Sequence, residues 1–404
     1  MKKLLVIIFF YTNSLFAQAI LKPFPQHVKY FPGAIKPNHV TQIRLDDAVK
    51  TFYNQWKTRF IKQVPGTNED FIWFENKGRK QCVSEGQGYG MIIMALMAGF
   101  DASAKDIYDN LFRYARAHPS GKSKYLMAWA QYANNKSTDN TSASDGDLDI
   151  AYSLLLADKQ WGSKGKINYQ AEAKATINAI MQHEINHQTW TVLLSDGIER
   201  ESRDYFTTRS SDFMPAHFKA FRRATDDARW DKVINTGYKL FITMQDKYSP
   251  DAGLIPDFIV NINKKPKPAQ PNFLESPYDG QYNYNACRVP WRITADYLMT
   301  GDERSKHIAG KINRWVMETT NNDTYNLSAG YTLAGNDIKH RYFEALSFIA
   351  PFGVSATIEG KNQAWLNKLW NYLNGFKLKD YDYYDNTIKL LDMIIISGNY
   401  WRVK

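Results

Sequence analysis

Apolar positions along most of this chain recur at helical intervals. Leu45, Val49, Phe52, Trp56 and Phe60 mark one face of a first helix from Arg44. A second helix, opening at Ser84 and ending near Gly99, carries the run Met91-Ile92-Ile93-Met94-Ala95-Leu96-Met97. Asp101 heads a third through Ile107, Leu111, Phe112 and Tyr114, and residues 124–133, with Met127 and Trp129, form a fourth. Further helical patterns cover Asp145–Trp161, Tyr169–Asn186, Phe213–Thr225, Asp226–Asp246, Ala286–Met299, Glu303–Thr319, His340–Ile349, Asn362–Leu373 and Asn386–Ile396. Strand-like alternation is scarce, and no fixed-period repeat marks a solenoid. About a dozen helices in successive antiparallel pairs predict an all-α barrel or toroid around one core.

Two stretches break the pattern. Residues 18–40, with four prolines, read as an extended lead-in. Residues 247–284 hold six prolines and little helical period, and their end, Asn272 to Gly280, is aromatic and acidic. A connection this long in a compact domain is functional or disordered, and its composition favours an ordered, functional loop.

Bulk properties narrow the class. A chain of 404 residues, 44% hydrophobic and 23% charged, can bury a large core. Lys2 and Lys3, the apolar stretch Leu4–Phe10 and Ser14-Leu15-Phe16-Ala17 have the form of a secretory signal, so residues 1–17 are assigned to it and 18–404 to a single domain. A secreted or periplasmic protein is expected, monomeric and without a membrane span. Setting Lys2 and Lys3 aside leaves 49 basic and 41 acidic residues, a net +8, but the basic residues are scattered and no nucleic-acid motif is present. Cys82 and Cys287 are the only cysteines. An exported chain can pair them, and the sequence leaves that open.

The chemistry concentrates at helix starts. Ser84-Glu85-Gly86-Gln87 has a capping-box signature that puts Glu85 in a first turn, among glycines that allow close approach. Asp145-Gly146-Asp147-Leu148-Asp149 sets three acids at another start; either Asp145 caps the helix with Asp147 and Asp149 in solvent, or the group meets partners. Asn285 and Arg288 begin a third, and Tyr381-Asp382-Tyr383-Tyr384 precedes the last. There is no HExxH, CxxC pair, GxSxG or phosphate loop, so no metal or cofactor is expected. Carboxylates with 14% aromatic residues in an exported protein form the inventory of a glycosidase.

On these segments the chain resembles glycoside hydrolase family 8. Ala143 to Trp161 follows that family's signature, while Ser84–Gln87 and Asn285-Ala286-Cys287-Arg288-Val289-Pro290 resemble two further blocks, and Ser397-Gly398-Asn399-Tyr400 a closing one. The resemblance implies an (α/α)6 barrel and hydrolysis with inversion of a polysaccharide substrate. It implies Glu85 as general acid, Asp145 as the aspartate holding the sugar at the cleavage subsite, and Trp129 as a stacking platform. Tyr284, Arg288 and Tyr384 match cleft residues. Many members carry an aspartate base where this chain has Asn285, and an amide cannot take a proton from water. The chain thus resembles the branch that draws its base from the preceding loop, with Glu275 as first candidate, Asp279 second and Asp257 third. Asp212 stands where xylan-cleaving relatives have an aromatic residue, which leans toward cellulose, mixed-linkage β-glucan or chitosan. Xylan cleavage, or glycan binding with catalysis lapsed, are the alternative readings.

Overall fold

The computed structural model describes residues 20–74, 80–132, 140–339, 345–378 and 383–403. The proposed signal, His340, Tyr381 and Asp382 lie outside the described residues. Six helices form a closed inner ring: α2 (Ser84–Met97), α4 (Ser144–Trp161), α6 (Pro215–Thr225), α8 (Val289–Thr300), α10 (Leu346–Ala356) and α12 (Tyr383–Ile396). Each packs on the next, and α12 closes against α2. Six more alternate with them on the outside: α1 (Gln42–Phe60), α3 (Ala104–Ala117), α5 (Tyr169–His183), α7 (Arg229–Tyr248), α9 (Glu303–Thr319) and α11 (Gln363–Gly375). This is an (α/α)6 barrel.

The division follows from composition. The inner helices are buried on nearly every face, as in Met91 to Met97 of α2 and Leu346 to Ala356 of α10. The outer ones are amphipathic, burying one stripe such as Leu45, Val49, Phe52, Tyr53, Trp56 and Phe60 of α1. Most tryptophans fill the core, with Trp56, Trp230, Trp291, Trp365 and Trp370 fully buried. No helix among the described residues is long and apolar enough to cross a membrane.

Several expected elements differ. The helix at 124–133 is absent: Ala130–Tyr132 is a strand, pairing with Lys80–Val83 just before α2. The helix expected at His340–Ile349 instead runs from Leu346 to Ala356, straight through Pro351, because every residue of it is buried and tertiary packing outweighs the missing N–H. The Ser84/Gln87 capping box does not form. Gln87 instead donates to the carbonyls of Asp70 and Leu111 and accepts from the Ile72 amide. Short antiparallel strands, hidden from any alternation test by lengths of two to four residues, brace the helix starts. Thr208–Arg209 pairs with Phe258–Val260 in the Pro-rich segment, and that strand with Lys267–Pro268, so the long loop is ordered.

Candidate active site

The starts of α2, α4, α8 and α12, with the turn before α6, converge at one end of the ring. The Ser84 amide donates to the Trp129 carbonyl at 2.9 Å, fixing the entry to α2. Gly146 lets α4 begin against it, since a Cβ there would lie 2.4 Å from Ser84 Oγ and 2.6 Å from its carbonyl carbon. Glu85 and Asp145, the second residues of their helices, are thereby brought to one cation. Arg288 Nη1 donates to Glu85 Oε2 at 2.5 Å, to Asp145 Oδ2 at 2.9 Å and to the Tyr89 hydroxyl at 3.2 Å. Tyr383, opening α12, donates its hydroxyl to Glu85 Oε1.

Environment separates the two carboxyls. Burial pushes Glu85 up to about 7; Arg288 opposes this, Asp145 adds to it, and the Tyr383 hydrogen bond opposes it. Its side chain remains 14% exposed, so the proton can reach a ligand. Asp145 is more deeply buried, which alone would raise it, but Arg209 and Arg288 hold it at about 2. Arg209 Nη2 lies 3.3 Å from Asp145, and its Nε is 3.0 and 3.2 Å from the two oxygens of Asp212. Asp212 is fully buried beneath this arginine, and burial raises it to about 6. Environment thus leaves one carboxyl able to hold its proton near neutrality beside one that stays ionised.

Asn285 connects this group to the loop. Its Oδ1 accepts from Arg288 Nη2 at 3.0 Å and its Nδ2 donates to Glu275 Oε2 at 2.7 Å. Glu275 is exposed at the loop tip. The other two base candidates are buried. Asp257 accepts the amides of Asn283, Asn285 and Ala286 at 2.7–3.2 Å, and burial lifts it to about 8 against those bonds. Asp279 accepts three amides of the loop tip. Both carboxylates face backbone rather than open cleft.

Asp147 and Asp149 are not in solvent. Asp147 accepts the Met127 amide, and Asp149 takes a two-point contact from Arg292 with His217 at 2.9 Å. Trp129 is 37% exposed beside the α2 entry, with Lys80 Nζ 3.6 Å from its ring centre. Tyr284 is 39% exposed, and the Tyr384 hydroxyl donates to its carbonyl at 2.6 Å. Cys82 and Cys287 are buried free thiols and form no disulfide. Their Sγ atoms meet Gln87 Oε1 and the Tyr284 carbonyl respectively. Among the described residues no group of three His, Cys, Asp or Glu is arranged to hold a metal.

Three contributors escaped the sequence reading. Tyr89 lies four residues after Glu85 on the same helix face, a spacing that could have found it. Arg209 stands three residues before Asp212, and Tyr383 adjoins Tyr384, but nothing in either segment says which side chain turns inward.

A helical ring whose inner helix starts gather a protonatable glutamate, an ionised aspartate and a loop-borne carboxylate defines a barrel-type glycosidase cleft. The chain belongs to glycosyl hydrolases family 8, whose sequence profile matches residues 38–398, and it is a glycoside hydrolase. It is 45% identical over 381 residues to a β-glucanase of Niallia circulans, covering 94% of this chain and 91% of that one. An endoglucanase of Bacillus sp. strain KSM-330 is 41% identical, with 97% and 85% covered. The apo structure of a β-1,3-1,4-glucanase from Paenibacillus sp. X4 superposes with a TM-score of 0.91 at 45% identity, covering 95% of this chain and all of that one. Rex8A from Paenibacillus barcinonensis, at 17% identity and a TM-score of 0.75 over 90% of this chain and 95% of its own, shares the fold.

Proposed function

We propose that the protein is an endo-acting, inverting hydrolase of mixed-linkage β-glucan and related β-1,4-glucan, secreted after loss of residues 1–17, with residues 18–404 as one catalytic domain. The observation that carries this reading is the chain of hydrogen bonds Glu85–Arg288–Asn285–Glu275, which ties a raised-pKa acid to an exposed carboxylate through an amide. Glu85 gives its proton to the glycosidic oxygen as the bond to the anomeric carbon breaks. A water attacks that carbon from the opposite face while Glu275 takes its proton. One water is consumed, two hydroxyls form, and both carboxyls reset through solvent.

The remaining residues bind and orient. Asp145, held ionised by two arginines, accepts from a sugar hydroxyl at the cleavage subsite, and Trp129 and Tyr284 offer flat faces along the cleft. Asp212 is covered by Arg209 and supports it rather than a glucosamine ammonium, which favours glucan over chitosan. The N. circulans and Paenibacillus relatives, named for β-glucan, point the same way. Glu275→Gln is expected to lose at least about 100-fold in kcat on lichenan, within the range for a general base, with an unchanged circular dichroism spectrum. Near-normal turnover in that variant would remove Glu275 from the mechanism.

A further inference from the structure

The segment that carries Glu275 has no regular secondary structure, yet a base must be held to a fraction of an ångström. Asp279, four residues on, is fully buried. Its Oδ2 accepts the amides of Leu274 at 2.6 Å and Glu275 at 3.0 Å, and its Oδ1 accepts the Ser276 amide at 2.8 Å and hydroxyl at 3.2 Å. The tip is closed again where the Asn272 amide meets the Ser276 carbonyl at 2.8 Å. This knot is fastened to the barrel on its other side. The Phe258 amide donates to the Asp279 carbonyl at 2.9 Å, and the Asp257 amide to the Gln281 carbonyl at 2.8 Å. Gly280 sits so close to the Ala269 carbonyl that a Cβ would lie 2.1 Å from its oxygen. Asp257 in turn caps the backbone that carries Asn285, the residue bonded to the Glu275 carboxylate. The two buried aspartates therefore fix the two ends of one hydrogen bond.

We propose that Asp279 is the positioning residue for the loop-borne base: its carboxylate gathers the tip amides and sets the Glu275 side chain against Asn285. This rests on the reading of Glu275 as base. An amide at 279 keeps one acceptor oxygen but turns an NH2 toward backbone N–H groups, so even the isosteric change breaks the knot. The test is a double-mutant cycle of Asp279→Ala and Glu275→Ala, with kcat and KM measured on lichenan. A displacement of about 1 Å costs about 100-fold in rate, so Asp279→Ala is expected to lower kcat by about that factor with KM changed less than about twofold. In the Glu275→Ala background the same change is expected to cost nothing further, because the group it positions is gone. A general structural role would instead make the two losses multiply, which would overturn the proposal, as would a kcat for Asp279→Ala within threefold of the parent. High activity in Glu275→Ala alone would overturn the base assignment itself, a separate result. Should Asp279→Ala not fold, Asp279→Asn takes its place in the cycle, and failure of both to fold would assign Asp279 to the fold rather than to the base.

Discussion

Replacing Tyr383 by Phe removes a single hydroxyl from the immediate surroundings of Glu85 while keeping the ring that packs beside Gly86. That hydroxyl donates to Glu85 Oε1 and stabilises the ionised form, which is why it works against the burial that lifts this carboxyl to about 7. Hydrogen bonds to charged groups contribute about 1.5–3 kcal/mol, and 1.36 kcal/mol corresponds to about one pKa unit. The variant is therefore expected to hold its proton about one to two pH units further into the alkaline range. As the proposed proton donor, Glu85 is expected to act only when protonated, with activity present below its pKa and lost above it. The alkaline limb of kcat/KM for lichenan hydrolysis is expected near pH 7 in the parent and displaced upward in Tyr383→Phe. The same shift has a stability counterpart. A carboxyl raised in the folded state contributes stability that is fully present below its unfolded pKa of about 4.5 and lost as pH climbs through the folded value. An alkaline limb that stays in place or moves down would refute both the proton-donor role and the account of what tunes it.

Three other outcomes follow from the geometry. Asn285→Asp, introduced into Glu275→Ala, sets a carboxylate beside the position vacated by the Glu275 oxygen, 2.7 Å from residue 285; kcat is expected to recover at least about tenfold over Glu275→Ala, a modest part of a base's usual contribution. Gly146→Ala drives a methyl into the Ser84 backbone and is expected to cost about 1–3 kcal/mol, seen as a lower melting temperature together with reduced kcat, since both Glu85 and Asp145 hang on that contact. Treatment with dithiothreitol is expected to leave lichenan hydrolysis unchanged, because both thiols are already free.

The all-α barrel was legible from the succession of helical patterns, such as the continuous apolar run in α2 and the single stripe in α1, whereas α10 was expected over His340–Ile349 and runs from Leu346 to Ala356. Glu85, Asp145 and Arg288 were legible as polar groups at the heads of such runs. What stayed hidden depends on contacts distant in sequence. Asp257 and Asp279 read as possible bases because a buried acceptor of backbone amides and an exposed proton acceptor are spelled alike. The strand at Ala130–Tyr132 follows from pairing with Lys80–Val83, about fifty residues earlier, not from its own pattern. Asp147 and Asp149 could be read as surface acids until their partners, the Met127 amide and Arg292, were in place.

The closure of α12 on α2 has a bearing on when the protein becomes an enzyme. Glu85 emerges early in synthesis, whereas Tyr383 follows 298 residues later and reaches it only when the final helix seats. Arg288 and Asn285 also arrive in the last third of the chain. Until the carboxy-terminal helix docks, the glutamate lacks the Tyr383 hydroxyl and the ring that packs beside Gly86. Under the proposed reading of Glu85 as proton donor, completion of the ring and assembly of the donor's surroundings are thus one event.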